Sequence, residues 1–305
     1  MRRPQSRPYR FGYERSLRPC LGTTIAPRQR TLFRQTLLVN GSPYFADLTS
    51  TRVQEILDSP KVPVLLWPVG STEPHGPHSP LSTDPIISIG ISERVARRLA
   101  DDPELAVLIL PTLSYAVTRY SAGFAGAIHV SEESLRAMVV DVCASLAGQG
   151  FPHVVLVNNH FEPEHVQTLH RALDELDARG IRGGYLDLTR RERAQRLTDE
   201  FKLGECHAGR YETSLVLAQA PELVDREAMA RLAYVGVSLP EVIAAGMKDF
   251  REMGLAEAYC GAPAEATVEE GEATYETLVD MTIELIRALV SGTGGRDRSG
   301  LFGRV

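Results

Sequence analysis

Several features that would mark a membrane, secreted or nucleic-acid-binding protein are missing from this sequence of 305 residues. No apolar run is long enough to cross a bilayer. The four cysteines are scattered without a C-x-x-C pair, which excludes a zinc ribbon and argues against a disulfide framework: Cys20, Cys143, Cys206 and Cys260. The net charge of -6 argues against a nucleic-acid partner. We therefore expect a cytoplasmic protein with neither a membrane nor a nucleic-acid partner.

The rest of the composition is ordinary for a globular protein, with 43% hydrophobic and 24% charged residues. The length allows one large domain or two small ones. Because the sequence contains no internal repeat and no linker of domain scale, we predict a single domain over residues 46–291. Residues 292–305 are rich in glycine and arginine, which indicates a flexible C-terminal tail.

Acidic residues are nearly absent from the first 45 positions, where Glu14 accompanies nine arginines. A basic start with serine and threonine is similar to a transit peptide, but the apolar core of a secretory signal is missing. We predict that residues 1–45 are a disordered arm, or the product of a start codon assigned too early. The alternative is a basic arm that docks on a neighbouring subunit.

From Asp47 onward, apolar runs alternate with amphipathic segments. The pattern predicts four core strands, at residues 62–67, 106–110, 153–157 and 184–188. It predicts helices at residues 49–57, 84–99, 131–148, 163–178, 189–203, 208–217, 241–253 and 268–289. This alternation favours an α/β fold with a mostly parallel sheet that helices cover on both faces. Ligands of such sheets bind beyond the carboxyl ends of the strands.

Potential metal ligands crowd the segment that follows the first predicted strand, PVGSTEPHGPHSPLSTD at residues 68–84. Residues two apart in an extended segment point to the same side, so Glu73 and His75 can face one point in space. Carboxylate oxygens and imidazole nitrogens suit a divalent cation of the zinc or manganese type. The alternative is a loop without a metal, because Asp84 before Pro85 is also a good N-cap for a helix.

The third predicted strand ends in a similar arrangement, because His160 and Glu162 follow it directly and Pro163 then begins a helix. The two loops and the start of the first long helix together offer five candidate ligands: Glu73, His75, Asp84, His160 and Glu162. Five ligands are more than one tetrahedral ion needs, and they suit two ions about 3.5–4 Å apart that share a carboxylate. The alternative is that His160 and Glu162 only cap the following helix.

A third candidate loop contains His207, with Gly204 and Gly209 nearby to permit close approach of the backbone to a ligand. The alternative is a histidine at a helix start without a function. Cys206 is interpreted as a packing residue, since no base is placed for it at a recognisable spacing. Further along, Glu212 is expected either to pair with Arg210 on a helix face or to support the site from outside the ligand shell.

Three motifs of this sequence resemble those of the creatininase (creatinine amidohydrolase) family, and the resemblance spans residues 47–289. Residues 68–84 are similar to PxGSxEQHGPHLPLxTD, residues 158–162 to NGHxE, and residues 205–214 to the HAGxxETS block. The resemblance implies a three-layer α/β/α sandwich that assembles as a homo-oligomer, commonly a hexamer. It also implies two divalent metal ions per chain, zinc or manganese and sometimes iron.

Carried over residue by residue, the resemblance assigns Glu73 and His160 to one metal and His75 and Glu162 to the other, with Asp84 bridging them. It assigns His207 the role of the proton-transferring histidine. The implied activity is hydrolysis of a cyclic or linear C–N amide bond in a small molecule by a metal-bridged hydroxide. In that reaction Glu162 would shuttle the proton of the water, and His207 would donate a proton to the leaving nitrogen.

Departures from the family's pattern bear on the substrate. Pro74 stands where glutamine is usual, Asn159 where glycine is usual, and residues 124–127 replace F-P-G-T. Creatininase places tryptophans over its substrate, whereas the corresponding residues 186–203 contain none. The same chemistry on a substrate other than creatinine is therefore expected.

Two further functions stay open from the sequence. The first is a peptidase or deformylase of the same family that acts on a modified peptide or a purine-derived intermediate. The second belongs to another class, a non-catalytic binding protein that metal ions stabilise.

Overall fold

The computed structural model describes residues 42–294 and contains one parallel sheet in that range. Its strands are β1 (Val62–Val69), β2 (Leu105–Ile109), β3 (His153–Asn158) and β4 (Gly183–Tyr185), in the spatial order β2-β1-β3-β4. The two central strands are buried and almost wholly apolar, as expected where helices cover both faces of a sheet. The predicted parallel sheet is confirmed. The fourth strand is shorter than predicted, because Asp187 turns the chain by accepting a hydrogen bond from the backbone N–H of Thr189.

Helices connect and follow these strands. They are α1 (Ser50–Leu57), α2 (Thr83–Arg98), α3 (Glu132–Gly148), α4 (Pro163–Ala178), α5 (Arg191–Ala194), α6 (Asp199–Leu203), α7 (Arg210–Gln219), α8 (Arg226–Ala230), α9 (Leu239–Ala244) and α10 (Val268–Val290). Short 3-10 turns lie at Phe45–Asp47, Pro221–Leu223 and Pro263–Glu265. No helix within residues 42–294 combines the length and apolarity that a membrane span requires.

The side chains of β1 alternate between two apolar cores, one on each face of the sheet. Val64 and Leu66 pack with α2, α7 and α10. Leu65 and Trp67 pack with α3 and α4 on the opposite face. Successive side chains of a strand point to opposite faces, so this single strand joins the two cores. The predicted three-layer α/β/α sandwich is confirmed.

Two predicted helices differ from the structure. Residues 189–203 form two short helices instead of one exposed helix, because Thr198 caps a new helix by accepting a hydrogen bond from the Phe201 N–H and Phe201 itself is buried. Residues 241–253 contain only the end of α9. This helix begins at Leu239 and stops before Gly246, whose φ of +91° is incompatible with an α-helix.

The predicted N-terminal arm lies outside the described residues except for its last four positions, and the predicted tail does so except for its first three. The domain boundaries at residues 46 and 291 therefore stay predictions. Within the described chain, the helices α2, α4 and α7 begin near the carboxyl ends of β1 and β3. Their starts bring the three predicted loops together.

Candidate metal centre

The loop after β1 buries three potential ligands completely. Glu73, His75 and Asp84 expose 2%, 0% and 1% of their surface. Gly70 lets the chain pass close to the start of α2, since a Cβ atom at this position would lie 2.6 Å from the Cβ of Asp84. The loop returns to α2 one residue before Asp84, so this side chain lies in the first turn of the helix rather than at its N-cap.

Asp84 stands between two histidines and presents a different oxygen to each. Its Oδ1 lies 3.2 Å from His75 Nε2, and its Oδ2 lies 3.3 Å from His160 Nδ1 and accepts a hydrogen bond from the Ser71 N–H. A carboxylate that faces two imidazoles through separate oxygens has the geometry of a bridging ligand.

Each of these two histidines lies beside a second carboxylate. Glu73 Oε1 is 2.9 Å from His160 Nδ1, while its Oε2 accepts a hydrogen bond from Ser121. Glu212 Oε2 is 3.5 Å from His75 Nε2, and Glu212 belongs to the first turn of α7. The donor atoms therefore form two neighbouring groups that share Asp84: Glu73, Asp84 and His160 in one, and His75, Asp84 and Glu212 in the other. Within each group the donor atoms lie within 4.8 Å of one another.

Hydrogen bonds to backbone carbonyls orient both imidazoles. His75 Nδ1 lies 3.0 Å from the carbonyl oxygen of Glu73, and His160 Nε2 lies 2.9 Å from that of Val117. A ring nitrogen that donates to a carbonyl leaves the other nitrogen with a lone pair for a cation. His75 Nε2 is such an atom, because it is buried and has no hydrogen-bond partner in the described part of the chain.

The charges of this cluster also fit divalent cations. Burial opposes the charged form of His75, but the neighbouring Asp84 raises the pKa of this imidazole to about 10. Burial raises the pKa of the Glu212 carboxyl to about 8. Three carboxylates enclosed together need compensating positive charge, which protons supply in the metal-free protein. The donor set is therefore suited to two cations that would displace these protons.

Glu162, the fifth predicted ligand, is held by backbone groups of an earlier loop. Its Oε2 accepts hydrogen bonds from the backbone N–H groups of Arg119 (2.7 Å) and Tyr120 (3.2 Å). Among residues 42–294 it belongs to none of the groups that could hold a metal, and Glu212 stands beside His75 instead. Its Oε1 is buried and makes no hydrogen bond with the described residues. Burial raises the pKa of the Glu162 carboxyl to about 7.

His207 lies against the same cluster. Its ring centroid is 4.5 Å from that of His75, and its Nε2 is 3.1 Å from the carbonyl oxygen of Pro74. Burial, aided by the charge of His75, lowers the pKa of His207 to about 4, so this imidazole is neutral at neutral pH. His207 also forms a third group of donor atoms with Glu73 and His75, so its position fits either a ligand or a proton donor.

Further buried residues surround the donors. Ser121 holds Glu73, and the amide of Asn159 donates to Glu212 Oε1 at 2.8 Å. His165 is buried, and its ring lies 4.8 Å from that of His160. Cys206 is buried, and burial raises the pKa of its thiol well above the ordinary value, in keeping with a packing role.

Comparison of the sequence with protein families gives one match that covers most of the chain. The family described as "Creatininase: Creatinine amidohydrolase" matches residues 46–286.

Individual relatives include both peptidases and amidohydrolases. The mycofactocin precursor peptide peptidase of Mycobacterium ulcerans (strain Agy99) is 30% identical over 238 residues, which cover 76% of this chain and 88% of that protein. The creatinine amidohydrolase of Pseudomonas putida is 33% identical over 178 residues, which cover 53% of this chain and 66% of that protein.

Solved structures of creatininase share the fold. A crystal structure of creatinine amidohydrolase superposes with a TM-score of 0.66 at 26% identity and covers 80% of this chain and 96% of its own. A structure described as "Creatininase Mn" gives a TM-score of 0.63 at 26% identity and covers 81% of this chain and 98% of its own.

Proposed function

The chain belongs to the creatininase family, and from this membership and the geometry of the buried donors we propose that it is a metal-dependent hydrolase of an amide C–N bond. The observation that carries the proposal is the position of Asp84, whose two oxygens face His75 and His160 while each histidine has a second carboxylate beside it. This arrangement supplies two adjacent cation sites with a shared ligand, which is the arrangement that hydrolases with two metal ions use.

When bound, the two cations would supply a nucleophilic water at neutral pH and polarise the carbonyl group of the amide. We assign one cation to Glu73, Asp84 and His160, and the other to His75, Asp84 and Glu212. Family members use zinc and manganese, sometimes iron, and we infer the same choice of metals here. We also infer a homo-oligomer, with the hexamer that the resemblance implies as the first assembly to test.

Two side chains of the cluster are placed to move protons. Glu162 keeps one buried carboxylate oxygen free of hydrogen bonds with the described residues, and that oxygen can accept a proton from water. His207 is buried against His75 and is held at its Nε2 by the carbonyl of Pro74. Because this imidazole is neutral at neutral pH, we assign it proton transfer in two steps: it takes up the proton that Glu162 accepts from the water, and it then donates this proton to the leaving nitrogen.

Creatinine is not the substrate that we propose, because the chain has no tryptophan to cover it. Trp67 is the only tryptophan of the sequence. It is buried in the core under α3 and α4, where its indole N–H donates to the carbonyl of Pro111. A substrate of another shape is therefore expected at the same metal centre.

A peptide substrate is the second candidate, and two observations favour it. Relatives that match most of this chain are peptidases of a precursor peptide. In addition, Leu81 and Ile128 expose 41% and 43% of their surface beside the metal centre. The backbone of Leu81 is hydrogen-bonded to Glu73 and that of Ile128 to Thr72. Apolar side chains at this position are suited to contact the side chains of a peptide chain.

The test combines metal content with turnover. The full chain is purified without chelator, its metals are measured by elemental analysis, and the release of amine or ammonia is followed with creatinine, lactams, formamides and short peptides. We expect about two equivalents of zinc, manganese or iron per chain and turnover of at least one class that is not creatinine. The chelator-treated protein serves as control and should regain turnover when metal is restored.

Each contrary result has a defined meaning. Two equivalents of metal without turnover of any class would favour a non-catalytic, metal-stabilised binding protein. Protein that binds no metal after incubation with each candidate ion would contradict the proposed metal-dependent mechanism. Release of amine from short peptides, and from no other class of the panel, would identify the protein as a peptidase.

A further inference from the structure

We propose that Asn159 is a positioning residue that holds Glu212 in its place beside His75 and thereby sets the affinity of one of the two cation sites. The proposal rests on the dinuclear centre of the proposed function. It concerns the group formed by His75, Asp84 and Glu212, and not the group formed by Glu73, Asp84 and His160.

Asn159 links the end of β3 to the start of α7 through its side chain. Its Nδ2 donates to Glu212 Oε1 at 2.8 Å, and its Oδ1 accepts from the hydroxyl of Tyr211 at 3.3 Å. Both contacts fit one orientation of the amide group, in which its NH2 group donates to Glu212 Oε1 and its carbonyl oxygen accepts from the Tyr211 hydroxyl. All three residues are buried, so water does not compete for these hydrogen bonds.

The two carboxylate oxygens of Glu212 therefore have different partners. Oε1 is occupied by the amide of Asn159, whereas Oε2 accepts from the Ala208 N–H at 2.7 Å and faces His75 Nε2 at 3.5 Å. The carboxylate plane is held from both sides, which leaves Oε2 as the oxygen directed toward a cation. A ligand fixed before the metal arrives loses less side-chain freedom on binding, which increases affinity.

The backbone at position 159 does not require a glycine. Among the described residues other than glycine, positive φ angles occur only at Ala208 and Ala258. An asparagine therefore fits at position 159 without strain, and its amide adds contacts that the glycine of the family's motif lacks. Asn159→Gly and Asn159→Ala consequently remove the amide without forcing a new backbone conformation, and the alanine variant keeps the backbone restrained if the glycine variant folds poorly.

The experiment measures the affinity of metal-free protein for each of two zinc equivalents, by titration against a competing chelator. Cobalt(II) titration adds the visible absorption of each site as a spectroscopic signature. We expect Asn159→Gly and Asn159→Ala to weaken one equivalent by about 10- to 100-fold and to leave the other within about twofold, as is typical for the loss of a residue that orients a metal ligand. Tyr211→Phe, which removes only the hydroxyl that orients the amide, should shift the same equivalent by less.

Val140→Ala is the matched control for a general loss of stability. Val140 is buried in α3 on the other face of the sheet, so its truncation should lower the unfolding midpoint and leave both zinc affinities unchanged. Unchanged affinities in both Asn159 variants, or equal weakening of the two equivalents, would overturn the proposal while the dinuclear centre stands. Wild-type protein that binds none of zinc, cobalt, manganese and iron would overturn the proposal together with the proposed function.

Discussion

At the scale of single residues, the sequence indicated all but one of the side chains that we assign to the cations. Glu73, His75 and His160 stand in loops directly after buried strands, where ligands of parallel sheets are expected. Glu212 lies on a helix, where pairing with Arg210 is the simpler explanation. The structure pairs Arg210 with Glu265 and Glu270 instead, which leaves Glu212 to face His75.

The position of Glu162 could not be predicted from the spacing of residues alone. Two residues after His160 in an extended segment, it was expected to point toward the same metal centre as a ligand. The N–H groups that hold its Oε2 belong to Arg119 and Tyr120, more than forty residues earlier in the chain. Such a long-range contact leaves no periodic signal in the sequence.

The first prediction separates the role of Asp84 from that of His207. Asp84→Asn or Asp84→Ala should lose both metal equivalents, because this side chain belongs to both of the groups assigned to cations. His207→Ala should keep both equivalents and lower turnover by about 10²- to 10⁴-fold, the usual contribution of a general acid. Elemental analysis and the rate on the best substrate are measured for each variant.

His153→Ala is a matched histidine control for this comparison. His153 begins β3, at the end of the sheet opposite the centre, so both metal content and turnover should be unchanged. Equal loss of metal in the Asp84 and His207 variants would show that His207 is a ligand, in the group that it forms with Glu73 and His75.

At the scale of elements, local signals located most helices, because their ends carry capping residues. Thr49 and Ser131 each accept a hydrogen bond from a backbone N–H in the first turn, and Pro163 opens α4. The segment 189–203 was mistaken for one helix, since its charge pattern continues across Thr198. The structure shows that Thr198 caps a second helix and that Leu197 and Phe201 are buried on either side of it.

The second prediction concerns the contact between α7, which carries Glu212, and α10. A Cβ atom at Gly271 of α10 would lie 2.0 Å from the carbonyl oxygen of Ser214 in α7. Gly271→Ala should therefore lower the free energy of unfolding by about 1–3 kcal/mol through overpacking, although alanine has the higher helix propensity. Urea denaturation with metal at fixed concentration measures the change.

Gly148→Ala is the control for helix propensity without a clash. Gly148 ends α3, and a Cβ atom there would meet nothing within 4 Å. The variant should gain about 0.5 kcal/mol of stability. If both glycine variants were stabilised, α7 and α10 would have room to separate, and the close contact would not be a constraint on the position of Glu212.

At the scale of the whole molecule, four residues that precede the predicted domain pack against its folded part. The carbonyl of Pro43 accepts a hydrogen bond from the Ile109 N–H at 2.7 Å, which adds this segment to the edge of β2. The hydroxyl of Tyr44 is hydrogen-bonded to Glu93 of α2, and the ring of Phe45 packs edge-on against Phe151 at 5.6 Å. Residues 42–45 therefore contact both faces of the sandwich, whereas the acid-poor composition of residues 1–45 predicted a disordered arm there.

The third prediction tests where the folded domain starts, with two truncated chains. A chain that begins at Ser42 should match the full-length protein in unfolding free energy and metal content, because residues 1–41 belong to the predicted arm of residues 1–45. A chain that begins at Thr49 loses the contacts of Pro43, Tyr44 and Phe45. It should be less stable by on the order of 3 kcal/mol, from the exposed apolar area and the unpaired N–H of Ile109.

A Ser42 chain that is less stable than the full-length protein would contradict this expectation. The arginine-rich arm would then contact either the domain or a neighbouring subunit. Sedimentation of the Ser42 chain and of the full-length protein would distinguish these two contacts.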